Sequence, residues 1–108
     1  MQGFVFKLIA PRPTFVSDMS PEERTTMLEH VGYWTALAQE GKVLAFGPVA
    51  DPAGSYGIGI VVAEDLAAAE ALRDGDPAVR SPWGFRAELA PMPRLVTPTA
   101  AYGVSPAG

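Results

Sequence analysis

Between Gly3 and Ile9 every residue except Lys7 is apolar, with Phe4, Phe6 and Leu8 on one side and Val5 and Ile9 on the other. A strand apolar on both sides belongs in the centre of a sheet. Pro11 and Pro13 end it, because neither can donate to a ladder. The period then becomes helical. Ser20-Pro21-Glu22-Glu23 supplies an N-cap, a proline suited to the first helical position and a glutamate that closes a capping box. The helix is predicted to run to about Glu40, with Gly41 as its left-handed stop. Met27, Val31, Trp34 and Ala38 form the centre of its apolar stripe, His30 and Leu37 lie on the edge, and Glu29, Gln39 and Glu40 point away.

Lys42 to Phe46 reads as a second strand that Gly47-Pro48 breaks, and Val-Ala-Asp-Pro-Ala-Gly-Ser follows as a loop. A third strand, Ser55 to Ala63, sets Tyr56, Ile58, Ile60 and Val62 on one face and Gly57, Gly59 and Val61 on the other. Glycine inside a strand weakens it and tends to mark a close approach, so the Gly57/Gly59 face reads as a groove floor, a subunit contact, or a bulge or tight packing without function. Asp65 caps a second helix, Leu66 to Asp74, with a short stripe of Leu66, Ala69 and Leu72, and Gly75 ends it before Asp76-Pro77. A fourth strand, Trp83 to Leu89, turns Trp83, Phe85, Ala87 and Leu89 inward, and its charged outer face suits an edge. After Pro91 the pattern stops, which predicts a proline-rich arm or disordered end over residues 93–108 behind a domain of residues 1–92.

The order β-α-β-β-α-β is the split βαβ, or ferredoxin-like, arrangement. It predicts an α+β domain with a four-stranded antiparallel sheet and two helices on one face. The simplest cover for the Gly57/Gly59 face is then a second copy, in a homodimer packed sheet to sheet.

At 108 residues there is room for one core, so a deep active site would draw on a second subunit. Apolar residues make up 48% and charged residues 19%, a globular balance. A net charge of −4 with scattered basic residues argues against a nucleic-acid partner. No apolar stretch is long enough to span a bilayer, and the start lacks a basic region and a cleavage site, so a soluble, unprocessed, cytoplasmic protein is expected. The absence of cysteine excludes disulfides, thiolate metal sites and a Cys nucleophile.

Few motifs carry chemistry. Gly57-Ile58-Gly59 lies inside a strand and is no dinucleotide fingerprint, and Ser81 lacks the surroundings of an activated nucleophile. A single histidine without cysteine does not build a protein-only zinc site, and no cofactor is expected. His30, the one histidine, is therefore the candidate acid or base. Glu29 points to the wrong side of its helix, whereas Asp51 and Asp76 both sit in turns beside proline, and either could hold the imidazole in one tautomer. Trp34, Phe46, Pro48 and Phe85 are the candidate pocket lining.

His30 late in its helix, Tyr33-Trp34, Leu37, Gly41-Lys42, Gly47-Pro48, Gly57-Ile58, and Asp76-Pro77 ahead of Phe85-Arg86-Ala87-Glu88 together resemble the YCII-like family over residues 3–92. The resemblance implies a small, typically dimeric α+β protein of ferredoxin-like fold with a His-Asp pair as its active site, which falls on His30 and Asp76. One branch is similar to dehydrochlorinases of chlorinated hydroxyhydroquinones. The leading expectation is thus a cofactor-independent, lyase-like enzyme in which His30, oriented by Asp76, acts on a small phenolic or carbonyl ligand. A dimeric ligand-binding or regulatory module without turnover is the alternative, and a haem protein with His30 as axial ligand is a third class.

Overall fold

The alternation of Phe4, Phe6 and Leu8 decides which side of the sheet is the core: in a computed structural model, which describes residues 1–103, these three side chains are at most 3% exposed. They belong to β1 (Gln2–Ile9). The chain continues through α1 (Phe15–Asp18), α2 (Pro21–Gln39), β2 (Val43–Val49), β3 (Tyr56–Ala63), α3 (Leu66–Asp74), α4 (Pro77–Arg80) and β4 (Arg86–Met92), and ends in a small hairpin of β5 (Leu95–Val96) and β6 (Ala101–Tyr102). The main sheet has the order β2-β3-β1-β4 with every neighbour antiparallel. This is the ferredoxin-like α+β fold expected from the element order. β1 is central and β4 is an edge, as the polarity of the two segments predicts.

Register fixes the faces. Pro48, Gly57, Leu8 and Ala87 stand side by side across the four strands, and Phe46, Gly59, Phe6 and Leu89 form the next row. Residues directly opposite one another share a face, so Gly57 and Gly59 lie on the core face with Phe6 and Leu8. The expectation that a second copy covers the Gly57/Gly59 face is therefore corrected: that side is turned toward the helices, and Tyr56, Ile58 and Ile60 look outward. The subunit-contact reading of the glycines is thereby removed.

The ends of α2 follow their sequence signals. Glu23 N–H donates to Ser20 Oγ, and Ser20 N–H donates to Glu23 Oε1, closing the capping box. At the other end Lys42 N–H reaches Leu37 O and Gly41 N–H reaches Ala38 O, with Gly41 at φ +78°. That is a Schellman stop, and only glycine takes this backbone without strain.

The buried stripe of α2 is rotated from the one predicted. Glu23, Thr26, His30, Trp34 and Leu37 are buried, whereas Val31 is 49% exposed. Hydrophobicity misplaces the stripe because three of its members are polar and each has a partner. Glu23 binds Arg12, Thr26 accepts from Trp83 Nε1, and His30 meets Asp76.

Three further expectations are corrected, and a fourth, the stop at Gly75, holds for a different reason. Gly47-Pro48 does not break β2, which runs on to Val49, because an edge strand tolerates a residue without a donor. β4 begins at Arg86 rather than Trp83 and continues through Pro91 for the same reason, leaving Trp83 at the surface. Leu66, assigned to the buried stripe of α3, is 49% exposed, and Ala69 makes the contact instead. Gly75 ends α3 with φ −81°, so its need for glycine is spatial: a Cβ would run into the Tyr33 hydroxyl, which donates to Leu72 O.

The segment expected to be an arm or disordered end carries the β5–β6 hairpin. Its Leu95 is buried where a Cβ on Gly3 would otherwise sit, and Gly103 N–H donates to Met1 O. The last part of that expectation, residues 104–108, lies outside the described residues. Among the described residues no helix is long and apolar enough to cross a membrane.

Candidate functional site

Asp76 is fully buried and His30 nearly so, two polar residues in the middle of an apolar core. Burying a carboxylate costs several kcal/mol unless hydrogen bonds replace its water. Asp76 is accordingly saturated. His30 Nδ1 lies 2.9 Å from both carboxylate oxygens, Trp34 Nε1 donates to Oδ2 at 2.9 Å, and Ala78 N–H donates to Oδ1 at 2.8 Å. The last contact makes Asp76 the N-cap of α4, with Pro77 at the first helical position. The Asp-Pro step thus has a local cause, and it is packed against the C-terminal half of α2, where His30 and Trp34 stand one turn apart.

An ionised carboxylate only accepts, so the proton of the neutral imidazole sits on Nδ1 and the lone pair on Nε2. No buried side-chain nitrogen or oxygen among the described residues lacks a partner. Nε2 has no protein partner, which places it on the accessible side of the ring. That side opens on a cavity of about 260 Å³.

The cavity lies between α2 and the core face of the sheet. Trp34, Phe46, Pro48 and Phe85, the four residues expected as lining, all border it together with His30. The row register explains why: Phe46 and Pro48 flank Gly59 and Gly57, whose missing side chains leave the space. A Cβ on Gly59 would stand 3.6 Å from Phe46 Cβ and one on Gly57 3.5 Å from Leu8 Cβ, ordinary contacts, so the volume is kept open rather than enforced by a clash. Phe6 and Trp34 pack at 4.9 Å between ring centroids to form one wall. His30, Ser55 and Tyr56 are the polar residues among those lining it, and no Lys, Arg, Asp or Glu does.

Asp51, the other aspartate weighed as the partner of His30, is exposed and accepts from Ala53 N–H in its own turn. Ser81 is likewise occupied locally, donating to Ala78 O at the end of α4. The structure brings together His30 and Asp76, and leaves Asp51 and Ser81 apart.

Met27 and Val31, read from the sequence only as part of a core stripe, also line the cavity, as do Phe15 and Met19, which the sequence pattern did not single out. Phe15 lies on α1, a single turn between Pro13 and Ser20 that is too short to show a period. Its only trace is the four-residue spacing of Thr14 and Asp18, which hydrogen-bond at 2.6 Å. Phe15 packs edge-on against Phe85 at 5.1 Å and closes that end of the cavity.

Arg12 pins this turn to α2. Its guanidinium donates to Asp18 Oδ1 and the Asp18 carbonyl, and forms a bidentate pair with Glu23 at 2.9 and 2.8 Å. The Arg12 contact, followed by the Ser20 N–H, holds the Glu23 carboxyl down to about 2 from its ordinary 4.5, and Arg12 is pushed up in return. Thr14 first and Arg12 second also lower the Asp18 carboxyl. Among the described residues no group of three or more His, Asp or Glu side chains converges as a metal site.

Comparison with protein families gives one match. The family model of the YCII-related domain aligns with residues 4–93. A search of curated proteins found no match.

Proposed function

Since the chain belongs to the YCII-related family, we propose that it is a small cofactor-independent enzyme in which His30 is the acid or base and Asp76 its orienting partner. The observation that carries this reading is the unpartnered Nε2 of His30, the side of the ring left free when Nδ1 binds Asp76, beside an otherwise apolar cavity.

The chemistry follows from that asymmetry. Nε2 presents a lone pair to a donor on the ligand, a phenolic O–H or a C–H beside a carbonyl. When Nε2 takes the proton, the ring becomes cationic, and the Asp76 carboxylate across Nδ1 balances the new charge without moving. Apolar walls keep competing water from the base. In a dehydrochlorination of the keto tautomer of a chlorinated hydroquinone the remaining O–H proton goes to Nε2, its electron pair forms the new C=O, the adjacent ring pair shifts to form the new C=C, and chloride leaves the sp3 carbon with the electrons of the C–Cl bond. A neutral, planar ligand of about one ring suits a cavity of about 260 Å³, just below the range of drug-sized ligand sites, which starts at about 300 Å³.

Chloride release from chlorinated hydroquinones, with ¹⁵N-histidine spectra recorded as phenol is titrated in, tests the reading. Turnover that His30→Gln abolishes while the protein stays folded is the expected result. Saturable phenol binding without turnover of any substrate assigns the same cavity to a ligand-binding module instead. If His30 Nε2 responds to none of the ligands, the cavity is plain core and the proposal fails.

A further inference from the structure

Lys7 is the one charge on the central strand, and the site around His30 makes no use of it. It stands on the outer face of the sheet, half-buried, beside Ile9 in a strand that is apolar from Gly3 onward. A lysine so placed is normally paired with a carboxylate. Among the described residues it forms no ion pair; its Nζ lies over the Tyr56 ring, 4.4 Å from the centroid. Glu88 is opposite Lys7 in the β1–β4 register, yet the two do not form a salt bridge. Arg86, exposed, lies opposite Ile9 in register and also forms no ion pair among the described residues.

Both cations border a hollow of about 350 Å³ at the end of the sheet, closed by the turn after β1 and the loop before β3. The lining of the hollow is about half polar, where that of the first cavity is almost wholly apolar. Arg12 also borders it, but four of its donor contacts are committed to Asp18 and Glu23, so its charge is already balanced. Lys7 and Arg86 thus border the hollow without an ion pair among the described residues, with Glu88 across the register from Lys7, in a chain whose net charge is −4. Concave walls of low dielectric focus such a field.

We propose that this hollow is a binding site for the oxyanion of a small molecule, a carboxylate or a phosphate, held by the Arg86 guanidinium and the Lys7 ammonium. The planar guanidinium fork matches two oxygens of either group, and the ammonium supplies a point charge alongside. The cation–π contact with Tyr56 holds Lys7 Nζ in place without neutralising it. The site is separate from the His30 cavity, although Ala10, Ser55 and Tyr56 border both spaces.

Titrations of the full chain with inorganic phosphate and with acetate, followed by backbone amide shifts against sodium chloride at equal ionic strength, test this assignment. Saturable shifts centred on Lys7, Tyr56 and Arg86 are expected with at least one of the two anions. Saturation by phosphate alone identifies a phosphate ligand, and saturation by acetate as well identifies the carboxylate class. Lys7→Met and Arg86→Gln should each weaken the binding tenfold or more, while His30→Gln leaves it unchanged and so separates this site from the enzymatic reading. Linear shifts that chloride reproduces would overturn the assignment. So would a dimer, seen by sedimentation, in which the amides around Lys7 and Arg86 are protected and neither anion binds.

Discussion

Replacing Asp76 with Asn keeps the shape of the buried side chain and removes half of its accepting capacity. Three donors converge on the carboxylate: His30 Nδ1, Trp34 Nε1 and the Ala78 N–H. An amide offers one carbonyl oxygen and places an NH₂ where the second oxygen was. If the carbonyl stays on Ala78, the NH₂ faces the Trp34 N–H; if it turns to Trp34, the NH₂ faces Ala78 and the cap of α4 is lost. Either arrangement orphans one buried donor, at about 1–3 kcal/mol, and weakens the remaining bonds by removing the charge, so the total is about 2–4 kcal/mol. For a domain of this size that lowers the melting temperature by about 10–25 °C. His30 has an escape that Trp34 lacks. By moving its proton to Nε2 it can accept from the new NH₂, which turns the cavity side of the ring from an acceptor into a donor. Urea unfolding measures the first effect and ¹⁵N-histidine spectra the second. A variant within about 0.5 kcal/mol of the parent that keeps its proton on Nδ1 would refute the account of the buried cluster.

Trp34→Phe removes one charge-assisted hydrogen bond to Asp76 and part of the cavity wall, and should cost about 2–3 kcal/mol in urea unfolding while His30 keeps its Nδ1 proton. Gly59→Ala adds a methyl at ordinary contact distance from Phe46 and Phe6, so the fold should hold or gain about 0.4–1 kcal/mol, whereas phenol affinity should fall as the methyl fills the groove floor. Glu23 is held at about 2 when folded against an ordinary 4.5, so its contribution is full above pH 4.5 and disappears as pH falls toward 2. Acid titration of stability should therefore be shallower for Glu23→Gln than for the parent across that window; identical curves would show that Arg12 does not latch α1 to α2 through this carboxylate.

Much of the architecture lies in local signals. Ser20 with Glu23, Gly41, Asp65 and the alternation of Phe4, Phe6 and Leu8 each act within a few residues, and the helix ends and the central strand follow from them. Element order then restricts the topology to the ferredoxin-like sheet. Membership of the YCII-related family was also legible in the sequence, because short motifs in a set order survive without knowledge of contacts.

Tertiary structure decided everything that depends on a partner distant in the chain. Hydrophobicity put His30 at the margin of its helix, since a polar residue counts against burial; Asp76, forty-six positions later, makes it a core residue. The choice between Asp51 and Asp76 was undetermined by sequence for the same reason: both are turn aspartates beside proline, and only the packing of α4 against α2 separates them. Register alone assigned Gly57 and Gly59 to the inside, because a strand's alternation states that two faces differ but not which one meets the helices. Lys7 follows the same rule. Its charge is plain in the sequence, while the hollow it shares with Arg86 exists only once β1 and β4 lie side by side.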